Sequence, residues 1–206
     1  MGQPTSGIPA VRNMSAFQLK VSARGALIRS FFGSALLYQG VVFSGNPTPL
    51  WFSIVTVPTV GLIAWAILRV RATRKLPSSA ADLDHWVTVR KFYWIDVGLE
   101  WGLLGVAMSV LAQRGRYDLV PQAFGLIIGL HYLPLGKIFR NQQYYWTAGL
   151  MVVAALAPLL IPRGDIRNIL GFGAVGLTLC VTSVAILWWT SSAASGQTDT
   201  PAPKTC

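Results

Sequence analysis

Six long apolar stretches alternate with short polar connections along this chain. They are residues 26–43, 50–70, 92–111, 119–136, 144–161 and 169–189. An α-helix needs about 20 mostly apolar residues to cross the hydrocarbon core of a bilayer. None of these stretches shows the sustained alternation of polar and apolar residues that is typical of a strand. The pattern therefore predicts an all-α integral membrane bundle of six transmembrane helices.

The segments on either side of this transmembrane domain, residues 26–190, have a different character. Residues 1–25 lack the continuous apolar core of a cleaved signal peptide. Because Phe17 and Val21 recur at helical spacing among basic residues, this segment is interpreted either as a short interfacial helix on the membrane surface or as a disordered leader. Residues 191–206 are small and polar, which predicts a disordered tail.

The connection between the second and third stretches carries a helix start signal. Ser79 followed by Asp82 has the spacing of an N-cap residue and its partner. Neither Pro nor Gly interrupts the chain between Ala80 and Gly98. We therefore expect one continuous helix from about Ala80 into the third span.

Composition excludes several classes of protein. Hydrophobic residues make up 53% of the chain and charged residues only 12%, whereas soluble domains carry about 25% charged residues. A soluble enzyme, a nucleic-acid-binding module and a disordered protein are all inconsistent with this balance.

The net charge of +10 is explained by membrane topology. Lys and Arg concentrate in the short loops on the cytoplasmic side of membrane proteins. With the N-terminus placed inside, 13 of them fall on the cytoplasmic side and 4 on the other. This split predicts that both termini are cytoplasmic. It also predicts that the basic loops contact anionic lipid headgroups rather than nucleic acid.

Glycines mark two helix faces for close packing. Gly98, Gly102 and Gly105 form one stripe on the third span, and Gly125 and Gly129 share a face of the fourth. Small residues let membrane helices approach closely, so these faces are expected to meet another helix or a second copy of the chain in a homo-oligomer. Since the opposite face of the third helix is acidic, that helix is expected at the centre of the bundle.

A further glycine motif matches a nucleotide-binding sequence pattern without its structural context. Gly171, Gly173 and Gly176 have the spacing of the dinucleotide-binding fingerprint, which functions only where a strand turns into a helix. Here the motif begins a membrane span. Helix packing is therefore the preferred interpretation.

The ionisable residues within the spans form a candidate site. Asp96 and Glu100 are four residues apart and share a helix face. They lie about 6 and 12 Å from the cytoplasmic end of the third span, and His131 about 8 Å from that of the fourth. Arg29 lies in the inner half of the first. Because uncompensated charge in a bilayer is costly, we expect Arg29 to pair with one carboxylate and His131 with the other.

This polar cluster has two open interpretations. It is either a structural set of pairs that fixes helix register, or a proton site in which a carboxyl group and an imidazole exchange protons. A metal site is the weaker hypothesis, because two histidines and no further acidic motif are a thin ligand set. No catalytic residue or cofactor is assigned.

One stretch of the fourth span carries a resemblance. Gly129-Leu-His-Tyr-Leu-Pro-Leu135, followed by Phe139, resembles a recurrent pattern in a family of small multi-pass bacterial membrane proteins to which no activity is assigned. The resemblance implies about six helices and a bacterial inner (plasma) membrane.

Three functions are compatible with these features. The first is a non-enzymatic membrane component with a structural polar cluster. The alternative is a small proton- or cation-coupled transporter or channel that uses Asp96, Glu100 and His131, although no internal repeat is detectable. The third is a membrane enzyme acting on lipid, which the absence of a nucleophile motif disfavours.

Overall fold

Six helices account for nearly all of the computed structural model, which describes residues 15–45, 47–76, 79–162 and 164–198. They are α1 (Ala16–Phe43), α2 (Pro49–Arg74), α3 (Ala80–Gln113), α4 (Val120–Ile138), α5 (Gln143–Leu156) and α6 (Asp165–Thr198), with single 3-10 turns at Tyr117–Leu119 and Ala157–Leu160. No strand occurs in the described residues. Each helix, with its adjoining turn, is long and apolar enough to cross a membrane. The prediction of an all-α chain with six helices of membrane-spanning length and apolarity is confirmed in the described residues.

The first helix begins earlier than predicted. Ser15 caps it by accepting a hydrogen bond from the Gln18 backbone N–H, and the Gln18 side chain accepts one from the Ser15 N–H in return. Phe17 and Val21 therefore belong to the first turns of α1 and not to a separate surface helix. The start of the basic leader, residues 1–14, lies outside the described residues.

The third helix is continuous from its predicted start. Ser79 Oγ accepts from the Asp82 N–H at 3.1 Å, and the Asp82 carboxylate accepts from the Ser79 N–H at 3.4 Å. This reciprocal cap satisfies two donors that a helix terminus leaves unpaired. The expectation of one helix from Ala80 into the third span is confirmed.

The last two helices depart from the predicted boundaries. Pro158 lies in the 3-10 turn that follows α5, so the α-helix ends at Leu156, because a proline cannot supply the N–H that continues the ladder. The last helix extends to Thr198. Residues 191–198 are therefore helical, contrary to the predicted disordered tail, and residues 199–206 lie outside the description.

The larger of two buried core clusters in the described residues joins α1, α4, α5 and α6, and the tightest helix contact joins α1 to α6. A Cβ at Gly33 would lie 2.9 Å from the Gly176 carbonyl oxygen, and a Cβ at Gly176 would lie 2.7 Å from that of Gly33. The two backbones therefore touch, which only glycine permits at both positions. The glycine motif of α6 thus has a packing role here.

The glycines of α4 are covered within the chain. A Cβ at Gly125 would approach Val175 of α6 to 2.7 Å. A Cβ at Gly129 would lie 3.0 Å from that of Met151 on α5. Both residues are buried, so this face of α4 is used to pack α5 and α6 and is not free for a second subunit.

The predicted central position of α3 is wrong. This helix, which is described along its whole length, buries only Leu104 and packs chiefly against α4. Its predicted packing stripe meets nothing: Gly98, Gly102 and Gly105 are exposed, and a Cβ at any of them would have no neighbour within 4 Å. The acidic face of α3 is the one that contacts the bundle, so the glycine face opposite it points away.

One end of the bundle is called here the basic end. It is the end where α1 and α3 begin and α4 ends. Asn141 Nδ2 donates to Ser22 Oγ at 3.2 Å, and His85 Nε2 donates to the Ile138 carbonyl oxygen at 3.0 Å, which ties these helix ends together. Its basic residues include Arg24, Arg71, Arg74, Lys75, Arg90, Lys91, Lys137 and Arg140.

Candidate functional site

The structure brings Asp96, Glu100 and His131 together between α3 and α4. His131 Nδ1 lies 3.1 Å from Asp96 Oδ2, and His131 Nε2 lies 3.3 Å from Glu100 Oε2. The imidazole thus has one carboxyl group at each nitrogen. This arrangement, called here the His131 cluster, depends on the four-residue spacing of the two acids along one face of α3.

The two contacts differ in exposure and in alignment. All three side chains are largely buried, with 10 to 15% of their surface accessible. Asp96 Oδ2 and His131 Nδ1 are fully enclosed, and they are not aligned as a hydrogen bond despite their short separation. Glu100 and His131 line a cavity. The Glu100 side of the cluster is therefore the side open to small molecules.

The short contacts limit the protonation states that suit the His131 cluster. A nitrogen lone pair facing a carboxylate oxygen at these distances is repulsive, so each contact favours a proton on one of its two groups. An imidazolium with two carboxylates meets this requirement. A neutral imidazole with one protonated and one ionised carboxyl group meets it too. In both forms the cluster carries one net negative charge, and a proton can shift within it without changing the total.

Arg29 does not form the predicted ion pair. Its Nε donates to Tyr132 Oη at 3.2 Å, and its two terminal nitrogens have no hydrogen-bond partner in the described chain. Arg29 is only 2% exposed. The prediction that it pairs with Asp96 or Glu100 is therefore wrong, because the two carboxylates turn toward His131 and leave the guanidinium to the aromatic side chains beside it.

Two tyrosines that sequence reasoning missed hold the Arg29 guanidinium. Its carbon lies 4.5 Å from the centre of the Tyr132 ring and 4.7 Å from that of the Tyr144 ring. Ring faces attract a cation electrostatically, and the attraction grows when the cation is desolvated. One indication of Tyr132 lay in the sequence, namely that it directly follows the candidate residue His131. Tyr144 lies at the end of a predicted span, where aromatic residues are common, so nothing in the sequence indicated that it contacts Arg29.

A cavity of about 540 Å³ lies between α1, α3 and α4. The side chains of Arg24 and Arg29 on α1, Glu100 on α3 and His131 on α4 line it, together with three tyrosines, Tyr93, Tyr132 and Tyr144. The rest is mainly aliphatic and aromatic. Small-molecule sites have this character, a mostly apolar enclosure with a few convergent polar groups. We call this cavity the cleft.

The cleft is a gap between α1 and α3. Ring contacts join these two helices at Phe17 with Trp86 and at Phe32 with Trp101. Both contacts are spaced by 15 residues along their helices, which is roughly 22 Å at 1.5 Å per residue. The cleft lies between these two ring contacts, with α4 as its floor.

Other ionisable residues stand outside this site. His85 caps the end of α4 through Ile138. At the far end of the bundle, Asp118 pairs with Arg116 at 2.9 Å and lies 3.6 Å from Arg167. In the part of the chain that the structure describes, no group of three His, Cys, Asp or Glu side chains is placed to hold a metal ion.

Comparison of this chain with protein-family models, with curated proteins and with solved structures finds no match. The function of this chain is therefore inferred from the cleft and the His131 cluster.

Proposed function

We propose that this chain is a small membrane transporter that binds its substrate in the cleft and exchanges protons at the His131 cluster. The observation that carries the proposal is that Glu100 and His131 line a cavity of about 540 Å³. A purely structural cluster has no need of a cavity. A proton site does need one, since the proton must reach the carboxyl group from a substrate or from water.

The arrangement of His131 supports proton exchange. Its two nitrogens contact different carboxyl groups, one enclosed and one beside the cleft. A proton taken up at Glu100 can be shared across the ring to Asp96 once a small rotation aligns His131 Nδ1 with Asp96 Oδ2, because an imidazole that gains a proton at one nitrogen can release one at the other. The site thus stores charge without a large rearrangement of α3 and α4.

A structural role is the second candidate, and one observation favours it. α3 packs chiefly against α4, and the His131 cluster spans that interface. Losing a carboxylate from such a group leaves a buried partner uncompensated, which is strongly destabilising. On this reading the cluster is what attaches α3 to the bundle.

A pair of measurements separates the two candidates. Protein reconstituted into liposomes on a solid-supported membrane is given pH steps, and the charge displacement is recorded. We expect a transient current in the wild type that disappears in Glu100→Gln and in His131→Ala. Asp84→Asn, a matched change at an exposed acid of the same helix, should keep the current.

Thermal unfolding in detergent completes this test. Glu100→Gln should keep the melting temperature within a few degrees, because the neutral isostere mimics the protonated acid. A melting temperature that falls sharply, with a pH-step current equal to that of the wild type, would instead establish the structural role.

We further propose an orientation and lipid partners for the bundle. The basic end matches the cytoplasmic side of a bacterial inner membrane, since Lys and Arg accumulate there, and both chain termini would then be cytoplasmic. Arg90 and Lys91 flank a shallow surface cavity next to Trp94 at this end. Exposed basic residues beside an interfacial tryptophan suit anionic lipid headgroups.

A further inference from the structure

The terminal nitrogens of Arg29 lack acceptors. Both are buried with no hydrogen-bond partner in the described residues, although Arg29 is one of the residues that line the cleft. A buried donor without an acceptor is costly, and more so when it is charged. The faces of Tyr132 and Tyr144 offset part of this cost through the charge but accept no N–H bond from the two terminal nitrogens. An acceptor group that reaches these nitrogens from the cleft, after a small shift of the side chains that cover them, would remove this cost.

The charged residues that line the cleft favour an anionic ligand over a cationic one. Two cations, Arg24 and Arg29, line it, against one carboxyl group, Glu100, that is already engaged by His131. A guanidinium binds carboxylate and phosphate oxygens in a planar fork geometry that suits both. An oxyanion would therefore find unused donors, whereas a cation would find only a carboxyl group with a partner.

The mouth of the cleft faces the lipid side of the bundle. Ile28 on α1 and Trp94 and Trp101 on α3 border it, and these side chains are 53, 60 and 56% exposed. On a membrane-spanning helix, exposed residues of this kind meet acyl chains. A molecule that enters between α1 and α3 therefore comes from the bilayer and carries apolar surface of its own.

The size of the cleft sets the size of that apolar part. About 540 Å³ holds roughly 18 groups of the volume of a water molecule, about 30 Å³ each. This is room for about one long alkyl chain and a small headgroup. Phe32, Leu104, Phe124 and Ile128 provide the apolar walls.

We propose that the cleft binds a single-chain amphiphile with an oxyanionic headgroup, of the class of a fatty-acid carboxylate, whose oxygens accept from Arg29 while its chain lies between α1 and α3. The proposal rests on the proposed function, since it names the substrate class of the same site. The membrane is its source, and a soluble anion is treated as an outcome of the test.

The test compares ligands that differ in one feature at a time. The full chain is placed in nanodiscs of phosphatidylcholine with dansyl-labelled undecanoate, and energy transfer from the tryptophans around the cleft reports binding. Unlabelled dodecanoate, dodecanol, dodecyltrimethylammonium and acetate are then added as competitors. We expect dodecanoate to displace the probe at concentrations at which the other three do not.

Matched variants test whether Arg29 is responsible for dodecanoate binding. Arg29→Met removes the charge and keeps much of the side-chain volume, and it should weaken dodecanoate binding roughly tenfold or more, as loss of a charge-assisted hydrogen bond does. Arg71→Met, at an exposed position in the last turn of α2, should bind as the wild type does. If Arg29→Met does not fold, Arg29→Lys and the wild-type ligand series still decide the matter.

Three results would overturn the proposal. Equal displacement by dodecanol would show an apolar cleft without an anion site. Preferential displacement by dodecyltrimethylammonium would assign the site to a cation at Glu100. Displacement by acetate as readily as by dodecanoate would show that the ligand is a soluble anion. In each case the pH-step current at Glu100 is measured separately, so proton exchange can stand while the substrate class fails.

Discussion

Single glycines in α6 differ sharply in their surroundings although they belong to one motif. At Gly176 a Cβ would lie 2.7 Å from the Gly33 carbonyl oxygen and 3.0 Å from the Leu37 backbone nitrogen. At Gly173, three residues earlier, a Cβ would have nothing within 4 Å. The first position is therefore a backbone contact between α1 and α6, and the second is open.

This contrast gives a matched pair of substitutions. Gly176→Ala should lower the free energy of unfolding by about 1–3 kcal/mol, the usual cost of overpacking, because the neighbouring atoms are backbone and cannot rotate away. Gly173→Ala should be neutral or stabilising by up to about 1 kcal/mol, since alanine is the better helix former. Unfolding in detergent followed by circular dichroism measures both. Equal losses at the two positions would contradict the assigned contact.

The residues of the His131 cluster were within reach of sequence reasoning, whereas the partners of Arg29 were not. Helical spacing places Asp96 and Glu100 on one face, and depth counting puts His131 at their level. The two acids were equally available to Arg29. What decided between these partners was the crossing of α1, α4 and α5, which sets Tyr132 and Tyr144 together beside the guanidinium, and no spacing along one chain encodes that crossing.

At the scale of the helices, the pattern predicted the existence of α3 better than its place. Its capped start at Ser79 and its uninterrupted length follow from local rules. Its position does not, because a stripe of small residues indicates that a face can be approached closely but not that anything covers it. In this chain α3 turns its acids and aromatics to α4 and leaves Gly98, Gly102 and Gly105 open.

The open face of α3 is where the predicted homo-oligomer contact would lie. Since Gly125 and Gly129 are covered by α5 and α6, only the α3 stripe is free for a second copy. Gly102→Leu should then shift the protein toward monomer, measured by light scattering in detergent and by cross-linking in membranes. Gly61→Leu, at an exposed α2 glycine that also has no neighbour within 4 Å, is the control. If the particle mass of Gly102→Leu equals that of the wild type, the predicted homo-oligomer contact through α3 is wrong.

At the scale of the whole molecule, the cleft is a consequence of unequal packing. α1 is held by α2 and α6, and α4 by α5 and α6, whereas α3 has one substantial neighbour, α4. A helix attached along one side leaves a gap on the other, and between the Phe17–Trp86 and Phe32–Trp101 contacts this gap is the cleft. The site therefore lies where the bundle is least closed.

The orientation of the bundle is tested by labelling single cysteines in a background in which Cys180 and Cys206 are replaced by serine. With the basic end in the cytoplasm, Gln113→Cys and Gly164→Cys should react with a membrane-impermeant maleimide in intact cells. Lys75→Cys should react only after the membrane is opened. The physical reason is the asymmetry of the connections: the α2–α3 connection carries Arg71, Arg74 and Lys75, and moving such a loop across an energised membrane is opposed at each charge. Labelling of Lys75→Cys from outside, with protection of Gln113→Cys, would reverse the orientation and put the mouth of the cleft nearer the outer leaflet.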